Sequence, residues 1–522
     1  MTKKHLLLSL LSALLYVLAT PPVALSLLGW VCLAPLIAAA VEAGTSRLAF
    51  KYGFIAGLAA SLGLYYWLVF TMHTFGGLAY PLSFLLFLLL AAFLALYWAF
   101  FACFAHLFYK KGYWLSLLLP LLWVAMEYLR GWLFTGFPWA LLGYTQHGSP
   151  YVIQLAEFVG VYGVSALLVL VSVLVYRMWL GFRSSGRFPL KEMVIILLLV
   201  TADVGYGFFK VGSFEPKGRP LKVALVQGNI SQGQKWQEGF QSETLDIYHR
   251  LSEEALREAG RLDLIVWPET AAPFYFQEPG ALTTKLLDLT AALDSPLLFG
   301  SPAYRMRGRG FTYLNSAYLI APSGSGAVKT LGRYDKLHLV PFGEYVPLKS
   351  VLFFVSKLTE GVGDFSAGEG VKSLVVKTPS GDVALGPLIC YEGIFPGLVR
   401  QFVKGGADVL VNITNDGWYG RTSAPYQHLS AVIFRAVENG VYLLRAANTG
   451  ITAIVDPLGR VVKASDLFVE AQLNGEVYIS GKKTVYTGFG DIFAITAFVI
   501  SLLAIISCFY SKIGGKAKGV SK

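Results

Sequence analysis

Three short segments of this chain carry residues able to do acyl chemistry. Cys390 ends the apolar run that begins at Gly381, and Tyr391, Glu392 and Gly393 follow it. A neutral thiol is a weak nucleophile and needs a base, a cation or a helix end to activate it. Glu269 lies in Trp267-Pro268-Glu269-Thr270, just beyond the apolar stretch 263–267. Pro268 restricts the backbone where that stretch should end. A carboxylate at such a point can take a thiol proton and later a proton from an attacking amine or water. Lys336 lies in Tyr334-Asp335-Lys336-Leu337-His338. Its ammonium can orient Glu269 and neutralise charge on a tetrahedral oxygen. Taken singly, each has a plainer reading: an inert buried thiol, a turn carboxylate, a solvated lysine. A histidine-based triad is less evident. His338 and His428 are its candidates, and His338, two residues from Lys336, reads as a hydrogen-bonded support.

The elements around these residues alternate between strand and helix. Strand-like runs fall at 222–227, 264–267, 296–300, 313–321, 408–413 and 441–446. Helix-like runs fall at 241–259, 281–293, 395–404 and 424–440. This mixture predicts a layered α/β unit with the reactive groups at strand ends. The helix after Cys390 would offer its end amides to a thiolate and an oxyanion.

The rest of the chain has a different texture. Only 14% of the 522 residues are charged and 55% are hydrophobic, against about 25% charged in soluble domains. Between residues 211 and 483 there are 27 Lys/Arg and 26 Asp/Glu. Ten of the eleven excess positive charges therefore lie in the apolar part and the tail. A nucleic-acid footprint would place them on the folded domain, so no nucleic-acid partner is expected. Of Cys32, Cys103, Cys390 and Cys508, only Cys390 lies in the polar region. No internal disulfide can form there, and no CxxC pair suggests zinc. No metal and no cofactor are expected.

Apolar runs predict eight membrane spans. The run 6–28, continuing without charge to 40, reads as a hairpin of two spans rather than a cleaved signal peptide. Others fall at 53–71, 80–106, 114–134, 157–176, 192–209 and 489–510. With the N-terminus inside, fourteen Lys/Arg, among them Lys3, Lys4, Arg47, Lys51, Lys110 and Lys111, fall on the inner side; the short outer loops hold Arg130. This is a positive-inside pattern. It predicts a membrane domain of seven spans over 1–210, an outer catalytic domain over 211–484, and an eighth span with a basic inner tail over 485–522. Glu127 and Glu157 near span ends should face a partner, a cavity or the interface. Gln146 and His147 could line a headgroup-level cleft or serve as ordinary interfacial loop residues. The apolar segment 346–358, followed by Gly361, Gly363, Gly368 and Gly370, reads as a lid guarding lipid entry, with a core helix as the alternative.

The ordered set Glu269, Lys336, Cys390 resembles the Glu-Lys-Cys triad of the carbon-nitrogen hydrolase, or nitrilase, superfamily. The wider set resembles its bacterial apolipoprotein N-acyltransferase family. The matching segments are Gln227 to Trp236, Trp267 to Thr270, His338 to Pro347, Ile389 to Glu392 and Asn412 to Gly420, with the span arrangement. The resemblance covers essentially the whole chain. It implies an inserted α-β-β-α sandwich on a multi-span helical membrane protein. It implies Glu269 as base, Lys336 as oxyanion-stabilising cation and Cys390 as acyl-accepting nucleophile. It also implies Glu344, Tyr391 and Glu392 as supports, and Trp236 and Trp418 on substrate-facing loops.

The implied reaction moves an acyl chain from a phospholipid, phosphatidylethanolamine foremost, to Cys390 as a thioester. The α-amine of a diacylglyceryl-cysteine at the start of an apolipoprotein then takes it. The implied setting is the bacterial inner membrane, with a periplasmic catalytic domain, cytoplasmic termini and a monomeric enzyme. A membrane-tethered amidase with water as acceptor is the alternative, and a non-enzymatic transporter or scaffold is a third reading.

Overall fold

The computed structural model describes residues 1–183, 188–307, 310–323, 326–346 and 365–517. The candidate lid therefore lies outside the described residues beyond Val346. Contacts divide the chain into two units. One comprises Met1–Val69, Pro81–Ser213 and Phe489–Lys522; the other comprises Phe70–Tyr80 and Phe214–Gly488.

The first unit is helical. Five of its described helices are long and apolar enough to cross a membrane: Ser46–Tyr65, Tyr80–Lys110, Ile153–Arg183, Leu190–Gly212 and Ile492–Phe509. Shorter apolar helices span Lys3–Ala19 and Leu115–Arg130, and 26–41 is broken into Ser26–Gly29 and Ala34–Val41. Between Arg130 and Gln146 the chain makes only two short 3₁₀ turns, at Leu133–Thr135 and Leu142–Gln146. Irregular backbone in an apolar setting must find hydrogen bonds from its surroundings. Here side chains supply them. Glu127 accepts from Leu142 N at 2.7 Å, Arg130 Nη2 donates to Trp139 O at 3.2 Å, and Tyr65 and Tyr16 donate to Trp139 O and Ala140 O. Glu127 and Arg130 are thus tied to the backbone of this loop. Glu157 is bound by Lys210 and Tyr206. Gln146 joins Trp30 Nε1 to Ser26 O, and His147 Nδ1 bonds Tyr144 O.

The second unit contains two six-stranded sheets. The strands are β1 (Arg219–Gln227), β2 (Leu264–Val266), β3 (Leu297–Arg307), β4 (Gly310–Pro322), β5 (Val328–Asp335), β6 (Leu374–Thr378), β7 (Gly381–Ile389), β8 (Val409–Thr414), β9 (Leu443–Ala447), β10 (Ala453–Val455), β11 (Val461–Ala464) and β12 (Ala471–Ile479). One sheet runs β12-β1-β2-β3-β4-β5 and the other β11-β10-β9-β8-β7-β6. In each, three neighbouring strands are parallel, β1-β2-β3 and β7-β8-β9, and the flanking pairings are antiparallel. The sheets stack face to face. Gly475 of β12 faces Ile454 of β10 across the interface: a Cβ there would lie 2.3 Å from Ile454 Cδ1.

Helices cover the outer faces. Helix Glu238–Ala259 buries Leu245, Tyr248, Leu251, Ser252 and Ala255 on one stripe against the first sheet, as the 3.6-residue period requires. Tyr248 stacks on Trp267, whose indole N–H donates to Ser252 Oγ at 2.9 Å. Pro396–Lys404 and Ala424–Asn439 pack on the second sheet. All six residues of β8 are buried, which explains a run without polar alternation. The α-β-β-α sandwich that the family resemblance implied is the observed fold. It brings the carboxyl ends of β2, β5, β7 and β8 to one site. Close approach of β3 to the turn after β2 depends on Gly300, where a Cβ would lie 2.4 Å from Thr270 N and 2.7 Å from Glu269 Cα.

Candidate active site

Glu269 follows β2, Lys336 follows β5, and Glu344 lies in the loop beyond it. All three are buried. Lys336 Nζ is 2.9 Å from the Glu344 carboxylate and 3.5 Å from Glu269 Oε1. Asn315, on β4, donates through Nδ2 to both Glu269 Oε1 and Glu344 Oε1, each at 2.8 Å. The other Glu269 oxygen accepts from Asn415 N at 3.0 Å, and the other Glu344 oxygen from Val340 N at 2.8 Å. Four carboxylate oxygens are thereby held by fixed donors. Burial works against the Lys336 charge, but Glu344 and Glu269 outweigh it and hold its pKa above the ordinary lysine range. The ammonium is permanent at any working pH.

Cys390 stands where β7 gives way to the 3₁₀ turn Cys390–Ile394, ahead of helix Pro396–Lys404. Its φ is 52°, a region that non-glycine residues seldom enter and that marks functional turns. The thiol is buried, and the side chain of Thr414 hydrogen-bonds it. Burial and the Glu269 charge push the thiol pKa up, with Lys336 opposing. Desolvation thus disfavours the thiolate in the resting pocket.

Glu392 couples the Cys390 turn to the segment around Lys336. One oxygen accepts from Ile389 N at 2.7 Å; the other accepts from Tyr334 OH at 2.6 Å, Leu337 N at 2.7 Å and His338 N at 3.2 Å. It therefore joins the residue before Cys390 to the residues on either side of Lys336. His338 packs on Phe395 at 3.7 Å between ring centres, and Tyr391 meets Phe395 edge-on at 5.0 Å. Trp236 is half-buried on the loop after β1. Trp418 lies in the turn Asp416–Tyr419 after β8. Its carbonyl accepts from Thr71 Oγ1 at 2.9 Å and its ring meets Phe75 edge-on at 5.0 Å.

Sequence reasoning missed four participants. Asn315 carries no motif signal beyond its type, and Asn415 and Asp416 sit inside the matching segment Asn412 to Gly420 without a role of their own. Lys235, next to Trp236, is buried, and its Nζ donates to Glu269 O at 3.0 Å. A lysine in a polar loop reads as solvated; only the fold reveals its burial. Burial lowers its pKa to about 8, against the pull of Glu269.

Comparison with known proteins follows the same division of the chain. Residues 12–174 match the apolipoprotein N-acyltransferase N-terminal domain, and 222–479 match the carbon-nitrogen hydrolase domain. The chain is 45% identical over 494 residues to the apolipoprotein N-acyltransferase of Geobacter metallireducens, spanning 94% of this chain and 93% of that one. The chain belongs to the apolipoprotein N-acyltransferase family. A relative from Nitrosomonas europaea is 35% identical, over 86% of this chain and 87% of its own. A Saccharomyces cerevisiae structure from branch 10 of the nitrilase superfamily aligns with 50% of this chain and 90% of its own, at 22% identity and a TM-score of 0.38. Family membership and the apolar helices make this a membrane protein.

The Lys235 geometry has a consequence for stability. Its folded pKa, about 8, is below the ordinary 10.5. Between those values the unfolded chain binds the extra proton, so folding grows more favourable as pH rises through that window. Lys235→Met removes this gain. The thermal midpoint of the variant, relative to the parent, should be highest below about pH 8 and fall as pH approaches 10.5. A difference that stays constant over the window contradicts a depressed Lys235.

Proposed function

We propose that this membrane acyltransferase carries a fatty acyl chain on Cys390 between a phospholipid and the α-amine of a diacylated apolipoprotein, completing lipoprotein maturation. The observation that carries the reading is the buried Glu269–Lys336–Glu344 cluster facing a strained cysteine turn, in a chain that matches apolipoprotein N-acyltransferases along nearly its whole length. Glu269, Lys336 and Cys390 are the catalytic residues of this proposal. Glu344, Tyr391, Glu392 and His338 support them, and Trp236 and Trp418 lie on substrate-facing loops.

Cys390 Sγ attacks the ester carbonyl carbon as its proton passes to Glu269. Charge growing on the carbonyl oxygen is met by Lys336, whose ammonium is already in place. The ester C–O bond breaks, and Glu269 returns the proton to the departing glycerol oxygen. The amine then attacks the thioester, Glu269 takes its proton, the C–S bond breaks and the thiolate leaves to be reprotonated. Products are an amide and the free thiol. A thioester preserves activation while two lipid substrates exchange, and the fully buried thiol keeps bulk water from hydrolysing it meanwhile. Phosphatidylethanolamine is the proposed donor and a monomer the proposed working unit.

The charge pattern supports an eight-span topology with the second unit on the outer, periplasmic side and both termini inside. In a variant lacking the native cysteines, Lys285→Cys is expected to react with an impermeant reagent added from outside. Reaction only after the inner side is exposed overturns this orientation.

The chemistry is tested by incubating the purified protein with labelled phospholipid and weighing it intact. One hydroxylamine-sensitive acyl group is expected, absent from Cys390→Ala and discharged by a diacylated lipopeptide. The same adduct on Cys390→Ala refutes the assignment, and discharge only to water favours a hydrolase.

A further inference from the structure

Behind the cysteine turn lies a wholly buried polar network with no part in the proton transfers above. Arg445, on β9, donates from Nη1 to Asn412 Oδ1 and from Nη2 to Asp416 Oδ2, the latter at 2.7 Å. Its Nη2 is also 3.2 Å from His428 Nδ1, and Asp416 Oδ1 lies 3.0 Å from the same ring nitrogen. The far side of the ring faces the nucleophile: His428 Nε2 is 3.2 Å from the carbonyl oxygen of Cys390, and Asn412 Nδ2 is 3.3 Å from it. Two side chains anchored on one arginine thus grip one backbone oxygen.

A carbonyl oxygen only accepts, so Nε2 must carry a proton. Burial, with the Arg445 charge, lowers the His428 pKa while Asp416 opposes. Nε2 therefore donates to the Cys390 carbonyl, while Nδ1 faces both Asp416 Oδ1 and Arg445 Nη2. Asp416 remains an anion: Arg445 and His428 overcome burial and hold it at about 2. The arrangement fixes the position of the ring between Arg445, Asp416 and the Cys390 carbonyl.

The gripped carbonyl belongs to a residue whose φ of 52° is sustained only by its surroundings. Across a planar trans peptide, C=O and the following N–H point in opposite directions. Holding the Cys390 carbonyl on the network therefore sends the Tyr391 N–H the other way. We propose that His428 is a positioning residue for acyl transfer: its bond to the Cys390 carbonyl locks the Cys390–Tyr391 peptide so that the Tyr391 N–H meets the oxygen of the tetrahedral intermediate opposite Lys336. The inference rests on Cys390 as acyl carrier. It assigns to a histidine outside the Glu-Lys-Cys set the task of keeping an oxyanion donor aligned before substrate arrives.

Two reactions of the same thiol separate this role from a general structural one. Alkylation by iodoacetamide displaces iodide and builds no oxyanion; thioester formation builds one. In His428→Leu, thioester formation at saturating phospholipid should fall at least about tenfold. The half-saturating phospholipid concentration and the alkylation rate should stay at parental values. His428→Gln, whose amide can donate to Cys390 O and accept from Arg445, should recover most of the lost rate. His428→Phe keeps the ring volume and replaces the leucine variant if that one does not fold, as judged by thermal unfolding. Parental acylation in a folded Leu or Phe variant overturns the inference. So do parallel losses in acylation and alkylation, or a Gln variant no better than Leu. A parent chain that forms no adduct at Cys390 overturns the acyl-transfer reading itself, and the inference with it.

Discussion

A lysine buried between two carboxylates is the constraint around which this site is built. An ion pair taken out of water recovers its desolvation cost only when geometry is good and the remaining oxygens are bonded. Both conditions are met. Lys336 touches Glu344 and Glu269, and Asn315, Asn415 N and Val340 N occupy the other acceptor positions. Removing one partner from such a set leaves unpaired buried charge, at about 3–5 kcal/mol. The cluster thereby forces β2, β4, β5 and the loop after β5 into one arrangement. In the proposed mechanism, the cation it fixes needs no reorganisation when negative charge appears on a substrate oxygen.

The two stacked sheets explain how an acid and a thiol far apart in sequence share that site. Each sheet centres on three parallel strands, and each presents their carboxyl ends to the same region. The first half contributes Glu269 and Lys336, the second Cys390 and Asn415. Glu392 is the cross-brace, with one oxygen on the cysteine turn and the other on the backbone around Lys336. A displacement of one half is therefore felt in the other, and burial disfavours a resting thiolate. That restraint suits an enzyme that must carry an acyl group without losing it to water.

Much of this was legible in the chain. The ends of β2 and β7 are written as apolar runs stopping at Pro268 and Cys390, and the covering helices show their stripes. Neither β5 nor β12 was legible. Val328–Asp335 and Ala471–Ile479 lack clean alternation because they are edge strands with largely exposed or half-buried residues. The family resemblance pointed to Glu344 and Glu392, whereas their number and kind of bonds appear only in the fold. Lys235 and Asn315 were missed because burial of a polar side chain leaves no local pattern. His428 was noticed as a histidine; its place behind the nucleophile follows from helix Ala424–Asn439 crossing the end of β7, a tertiary fact. Helix boundaries in the apolar part were harder: 26–41 breaks in two, and the residues after Arg130 form a tied loop where the run 114–134 suggested a span.

The central claim is that Glu269 and Lys336 act as one unit on Cys390. It is tested most directly by measuring the rate of Cys390 thioester formation in the parent, Glu269→Gln, Lys336→Met and the double variant, each shown to be folded. Residues that serve one transition state together are strongly non-additive. The account predicts that the double variant is about as slow as the slower single variant. Losses that multiply, as for two independent groups, would contradict it.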